Sequence, residues 1–240
     1  MVFVENTSQV VIKTNENIVQ VSQDAALARG LILAFFPERL YEDMGGYLDA
    51  YFDLFRAAAA AVTRERMQAA ADAIIDVVAR GGTIFSCGNG GSAAIADHLA
   101  CDCLKGVRTD TTIKPRVSSL SATVELITAI ANDIGYNEIF SYQLASLAKP
   151  GDVLITISSS GESPNIVNAI TWAKANGVRT IAMTGFKGGA SAQAADINLH
   201  VDAQNYGVVE DVHQSMMHVL AQYVRHRHLA DPKLLGQKKF

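Results

Sequence analysis

Apolar positions along the chain follow two different spacings. Residues 83–87, 153–157 and 179–184 are short, largely continuous apolar runs bounded by turn residues, the pattern of strands buried on both faces of a parallel sheet. Between and around them apolar residues recur every three or four positions. Residues 40–61 carry Tyr47, Leu48, Tyr51, Phe52 and Phe55 at helical spacing. Thr63 caps a second predicted helix through Ala79, with Met67, Ala71, Ile74, Ile75 and Val78 on its apolar side and Gly81-Gly82 as its stop. Residues 123–131 and 138–147 read as helices around a polar turn at Asn132-Asp133, and Pro164 opens another that runs to about Ala175. Weaker strands are expected at 115–120 and 195–201, a glycine loop at Gly185, Gly188 and Gly189, and a long closing helix from Val208 to about His226. Strands alternating with helices imply an α/β domain, a parallel sheet covered on both sides.

Residues 1–35 differ from the rest. Two β-prone runs, 9–13 and 18–21, flank a polar Thr14-Asn15-Glu16-Asn17, which fits a small hairpin or a disordered extension equally well. The pattern changes at Phe36-Pro37-Glu38, so we divide the chain into an extension, 1–35, and one domain with N-terminal helices, 36–240. At 240 residues, 49% hydrophobic and 18% charged, the chain is long enough to bury a sizeable core. A net charge of −4 gives no reason to expect a nucleic-acid or anionic membrane surface. The run Arg225-His226-Arg227-His228 complements the dipole at the end of the closing helix. Three cysteines, Cys87, Cys101 and Cys103, are an odd number, with two on one predicted helix, which argues against a disulfide framework; no basic stretch leads into an apolar core near Met1, so a reduced, cytoplasmic setting is expected.

The candidate chemistry sits where strands end. The first central strand breaks into Gly88-Asn89-Gly90-Gly91-Ser92, a turn whose backbone N–H groups can receive an anion at the start of a helix. It superficially fits a relaxed dinucleotide fingerprint, yet the acidic residue expected after the next strand is missing, and so is the Lys-Ser/Thr of a P-loop. The second strand ends in Ser158-Ser159-Ser160-Gly161-Glu162-Ser163-Pro164. Placed between a buried strand and a Pro-started helix, these hydroxyls are positioned to hold phosphate through neutral donors. His98 and Asp102, four residues apart, share a helix face. Alone they read as an ordinary polar pair. The closing helix adds Glu210, Asp211, His213 and His218, of which Glu210 and His218, eight residues apart, can face one cleft; His213 lies off that line.

These motifs, Cys-Gly-Asn-Gly-Gly-Ser at 87–92, Ala-Asn-Asp at 131–133, Ile-Ser-Ser-Ser-Gly-Glu-Ser at 157–163 and Glu-Asp-Val-His-Gln-Ser-Met-Met-His at 210–218, resemble the sugar isomerase (SIS) domain. Within it the chain is similar to the sedoheptulose 7-phosphate isomerases, also called phosphoheptose isomerases. The resemblance implies a three-layer αβα fold with a five-stranded parallel sheet flanked by helices, assembled as a homotetramer with active sites shared between subunits. It implies a ketose/aldose isomerase that converts sedoheptulose 7-phosphate to D-glycero-D-manno-heptose 7-phosphate by enediol proton transfer, in lipopolysaccharide or polysaccharide biosynthesis. Carried over by position, Asn89, Gly90, Gly91, Ser92, Asp133 and Glu210 contact the sugar, and Ser158, Ser159, Ser160 and Ser163 hold its phosphate. His98, Asp102, Glu210 and His218 fall where one Zn²⁺ binds, and Asp102 and His218 also carry the acid and base. Three departures from the family pattern stand out: aspartate for glutamate at 102, glutamate for glutamine at 210, and Gly207 for an aspartate. Two other readings remain open: a non-catalytic SIS binding protein similar to DNA-replication initiator-associating proteins, and an isomerase of another sugar phosphate.

Overall fold

The computed structural model describes residues 44–234 and three N-terminal strands, β1 (Val2–Asn6), β2 (Gln9–Lys13) and β3 (Ile18–Ser22). These three form an antiparallel sheet of their own in the order β1-β2-β3, with Lys13 opposite Ile18 and Val4 opposite Val10. The expected transition at Phe36-Pro37-Glu38 and the start of the first helix at Leu40 lie outside the described residues.

From there the elements are α1 (Met44–Ala60), α2 (Arg64–Ala79), β4 (Thr83–Gly88), α3 (Gly91–Cys101), β5 (Arg116–Ser119), α4 (Val124–Asp133), α5 (Ser141–Leu147), β6 (Val153–Ser158), α6 (Pro164–Ala175), β7 (Arg179–Thr184), α7 (Gly189–Ala194), β8 (Ile197–His200) and α8 (Tyr206–Arg227). Five strands run parallel in the order β5-β4-β6-β7-β8. The chain adds β5 on one side of β4 and then β6 on the other, and this reversal of strand order puts a crevice at the carboxyl ends of β4 and β6, where ligands bind in open parallel sheets.

Period-two alternation deals the strand side chains to two cores. Ile84, Ile155, Ile157, Ile181, Met183, Ile197 and Leu199 pack with α2, α3 and α8, whereas Phe85, Cys87, Leu154 and Ala182 pack with α4, α5 and α6. Burying each such aliphatic side chain is worth about 1.5–3 kcal/mol, so both faces of the central strands select apolar residues. Asp152, just before β6, is a buried carboxylate. Its carboxylate accepts from the backbone N–H groups of Thr83 and Lys149, both at 2.8 Å, and ties the start of β4 to the turn before β6.

Besides β1, which adds a third strand to the two expected in the N-terminal extension, the structure departs from the sequence reading in three places. Asn132-Asp133 is the last turn of α4, and the chain turns at Gly135, whose φ of +149° suits glycine. The glycine loop after β7 winds into α7, entered through Gly188 in the left-handed region, and the Ser191 N–H donates to the Gly161 carbonyl at 2.9 Å. The helix after the first glycine turn changes at Asp102 into a six-residue π-helical segment, Asp102–Val107. Such segments recur at functional sites because they re-aim side chains. Among the described residues no helix is long and apolar enough to cross a membrane.

Candidate active site

Two turns converge at the crevice. Gly90, at φ +56°, precedes α3, and the Ser92 N–H donates to the Asn89 carbonyl at 3.0 Å. The Asn89 side chain exchanges two hydrogen bonds with Asn165 in the first turn of α6, at 2.9 and 3.0 Å, and its Oδ1 also accepts from the Tyr136 hydroxyl at 3.1 Å. The amide pair locks the glycine turn after β4 to the serine turn after β6. Between them lies a cavity of about 140 Å³ lined by Asn89, Ser92, Ser158, Ser159, Ser160, Ser163, Tyr206 and Glu210.

Its chemistry suits an oxyanion. Ser158 Oγ accepts from the Gly161 N–H and Ser160 Oγ from the Glu162 N–H, both at 3.2 Å, so each hydroxyl keeps its single hydrogen for another acceptor. Ser159 Oγ is buried with no hydrogen-bond partner. Ser163 caps α6 without a side-chain bond to the helix, and the positive ends of the α3 and α6 dipoles face the same space. No lysine or arginine lines it. Gly161, at φ +67°, sits so close to the Gly188 carbonyl that a Cβ could not be accommodated, which packs the loop onto α7.

The second cluster is built by α3 and α8. His98 Nε2 lies 3.4 Å from Asp102 Oδ1, and His218 Nε2 lies 3.6 Å from Asp102 Oδ2. The two imidazoles meet edge to face, with centroids 5.0 Å apart. One ligand-capable atom from each of the three lies within 4.8 Å of the others. Two imidazoles and a carboxylate form a donor set that a divalent cation such as zinc takes. The side chains of His98, Asp102 and His218 are 46%, 27% and 39% exposed, so this end of the crevice is open to solvent in the single chain.

Of the residues singled out in the sequence, Asn89, Ser92, Ser158, Ser159, Ser160, Ser163 and Glu210 share the cavity, and His98, Asp102 and His218 share the titratable cluster. Glu210 does not join that cluster. Two turns before His218 on α8, its carboxylate lies against Gly91, where any Cβ would overlap it. Burial, and next the charge of Asp211, push the Glu210 carboxyl up from the usual carboxylate range. Gly90 is exposed and does not itself line the cavity. Asp133 is also exposed, accepts from the Asn132 side chain at 2.7 Å and does not line the cavity. His213 is buried beneath the site, its Nε2 3.1 Å from the Thr184 carbonyl, and burial lowers its pKa to about 4.

Four participants escape a reading of the sequence. Asn165 and Tyr136 hold Asn89, Tyr206 lines the cavity, and Gln214 stands between His98 and His218, at 3.0 and 3.1 Å. Only Gln214 left a signal, since 210, 214 and 218 are successive i,i+4 positions on one helix face. Tyr51 on α1, read as part of a packing stripe, also donates to Asp211 at 2.7 Å. Burial first, then that bond, push its phenol up to about 12. Gly207 leaves room for this hydroxyl, which would stand 3.0 Å from a Cβ placed there.

Comparison with known proteins matches these features. A family model of the SIS domain covers residues 46–185. The phosphoheptose isomerase of Nitratidesulfovibrio vulgaris (strain DSM 19637 / Miyazaki F) is 38% identical over 173 residues, 68% of this chain and 82% of the relative. That of Burkholderia pseudomallei (strain K96243) is 38% identical over 175 residues, 71% of this chain and 88% of the relative. The structure of a phosphoheptose isomerase from Neisseria gonorrhoeae superposes with a TM-score of 0.70 at 29% identity, covering 76% of this chain and 98% of that one.

Proposed function

Because the chain belongs to the SIS-domain family and, within it, to the phosphoheptose isomerases, we infer that its two clusters are the two ends of one active site. The protein is a sugar-phosphate isomerase that interconverts sedoheptulose 7-phosphate and its aldose isomer. The observation that carries the division of labour is the placement of α8. Glu210 stands at the serine-lined cavity, and His218, eight residues on, stands at the His98–Asp102 cluster. Eight residues of helix rise about 12 Å. An extended seven-carbon chain with a terminal phosphate spans on the order of 10 Å at about 1.5 Å per bond. A substrate anchored by phosphate at Ser158, Ser159, Ser160 and Ser163 therefore lays C1 and C2 toward the histidines.

The reaction moves a proton from C1 to C2 through an enediol, while the carbonyl oxygen gains a proton at C2 and the C1 hydroxyl loses one. Asp102 and His218 are the acid/base pair, and each such group contributes ~10²- to 10⁴-fold. Imidazole exchanges protons readily near neutral pH, whereas the carboxylate, held by the π-helical turn, is suited to take a carbon-bound proton. Glu210 accepts from sugar hydroxyls along the way, joined by Asn89, Gly90, Gly91 and Ser92 on the facing turn; Asp133, at the end of α4, reaches the sugar only if that helix end or a neighbouring subunit closes on the cavity. His98, Asp102 and His218 fit one Zn²⁺, which when bound would polarise the carbonyl. Distant phosphate binding orients the reacting carbons.

We further propose a cytoplasmic homotetramer, with residues 1–35 as an extension outside the SIS domain of 36–240, serving lipopolysaccharide or polysaccharide synthesis. Supporting the assembly, α1 exposes Tyr47, Leu48 and Phe52, and α8 exposes Val219, which lines an apolar groove of about 430 Å³ between α2, α8 and the end of α1. Another subunit on that face would also close the open histidine end. Elemental analysis of active protein tests the metal: one zinc per chain is expected, and full activity without stoichiometric metal removes it from the mechanism.

A further inference from the structure

Gln214 belongs to neither half of the site as read from the sequence, yet it touches both histidines. Its Nε2 lies 3.0 Å from His98 Nδ1 and 3.1 Å from His218 Nε2. A primary amide carries two N–H groups, and in its neutral form each imidazole has one nitrogen that accepts and one that donates. The geometry points to a clamp: we propose that Gln214 is the positioning residue of the site, fixing the tautomers of His98 and His218 and changing its own orientation when the cluster takes a cation.

With the amide nitrogen between the rings, His98 accepts at Nδ1 and His218 at Nε2. The His98 proton is then on Nε2, which faces Asp102 Oδ1 at 3.4 Å, and the His218 proton is on Nδ1. Without a cation this arrangement satisfies the amide and His98, and it leaves His218 Nε2 accepting from Gln214 with Asp102 Oδ2 3.6 Å away and not hydrogen-bonded to it. The arrangement cannot persist with a cation, because the His98 atom that faces Asp102 must offer a lone pair to become a ligand. The proton has to move to Nδ1, which becomes a donor toward Gln214. Rotation of the amide by half a turn meets that need, presenting Oε1 to the His98 Nδ1–H and withdrawing the N–H groups from His218 Nε2. Amide oxygen and nitrogen occupy nearly the same volume, so the exchange requires no repacking. Glutamine can serve both states, glutamate only the cation-bound one, and leucine neither.

The i,i+4 spacing accounts for the reach. Glu210, Gln214 and His218 form one polar stripe on α8, while Val212, His213, Met216 and Met217 fill the buried face. The stripe runs from the serine-lined cavity to the imidazoles, and Gln214 is its middle member. Outer residues that orient ligating histidines typically change metal affinity 10- to 100-fold.

This inference rests on the metal reading above, and its test separates the two. Zinc affinity would be measured by competition with a chromogenic chelator, without substrate, for wild type, Gln214→Leu and Gln214→Glu; long-range ¹H–¹⁵N spectra would report the histidine tautomers with and without zinc. We expect Gln214→Leu to bind zinc about 10- to 100-fold more weakly and Gln214→Glu to stay within a few-fold of wild type. In wild type the His98 proton should move from Nε2 to Nδ1 on loading. Unchanged affinity and tautomers in Gln214→Leu overturn the proposal, as does an equal loss in Gln214→Leu and Gln214→Glu. If wild type takes up no zinc, the metal reading fails by itself, and the metal-free spectra still decide the clamp: fixed tautomers that become mixed in Gln214→Leu support it, and identical spectra overturn it. Should Gln214→Leu fail to fold, the wild-type spectra suffice, since a His98 proton on Nδ1 before loading contradicts the arrangement.

Discussion

The serine end and the histidine end of the crevice are built in opposite ways. Ser158, Ser159, Ser160 and Ser163 come from one turn, at the mouth of two helices, and Ser158 and Ser159 are buried. The histidine end takes His98 and Asp102 from one helix and His218 from another more than a hundred residues later, and all three remain partly exposed. Anchoring is thus preformed within one loop, whereas the chemistry depends on the packing of α3 against α8. A ligand group that is the same in every sugar phosphate can be held by a local motif. A reacting centre that must move protons needs groups whose separation is set by tertiary structure, and here it also stays accessible to the solvent or subunit that completes it.

Substitutions at the two ends should therefore split the kinetic constants. The largest effect is expected at the histidine end: His218→Gln and Asp102→Asn should each lower kcat by ~10²- to 10⁴-fold in steady-state assays, with KM little changed. At the serine end the order reverses. Ser159→Val removes a hydrogen bond to a charged phosphate, worth about 1.5–3 kcal/mol, and should raise KM roughly 10- to 150-fold while kcat falls by less. Equal losses of kcat at both ends would erase the distinction.

The smallest effect on turnover should come from His213, which shares α8 with His218 but serves the fold. Its pKa is lowered to about 4 in the folded chain, against about 6.5 when unfolded. Between those values the unfolded chain binds the extra proton, so the stability His213 contributes is complete above pH 6.5 and is lost as pH falls toward 4. The loss amounts to about 2 kcal/mol at pH 5 and on the order of 3 kcal/mol by pH 4. Urea unfolding at pH 7.5 and pH 5 checks it: His213→Gln, which keeps a donor for the Thr184 carbonyl, should show a smaller drop than wild type and near-normal turnover at neutral pH.

The same contrast explains what could be read from the sequence. Continuous apolar runs gave β6 and β7 because burial on both faces leaves no polar alternation to confuse them. Pro164 marked the start of α6, and the serine loop followed from its place between the two elements. Asn132-Asp133 misled because turn-forming residues are also tolerated in a last helical turn, and α7 was hidden by glycines whose left-handed entry opens a helix. His98, Asp102 and His218 were legible as a set only with the family's motifs beside them, since no local rule pairs residues so far apart. Glu210 was expected with that set, and α8's two extra turns carry it to Gly91 and the serines. Gln214 shares the i,i+4 face of Glu210 and His218, but that spacing gives a glutamine no role until the two imidazoles are placed beside it.

The most direct test is conversion of sedoheptulose 7-phosphate by the purified protein, followed by product formation, with His218→Gln and Asp102→Asn in parallel and other C5 to C7 ketose phosphates as competitors. The account predicts that wild type forms the heptose 7-phosphate in preference to products from shorter ketoses and that both variants lose turnover. No conversion by wild type, or unchanged turnover in both variants, would contradict it.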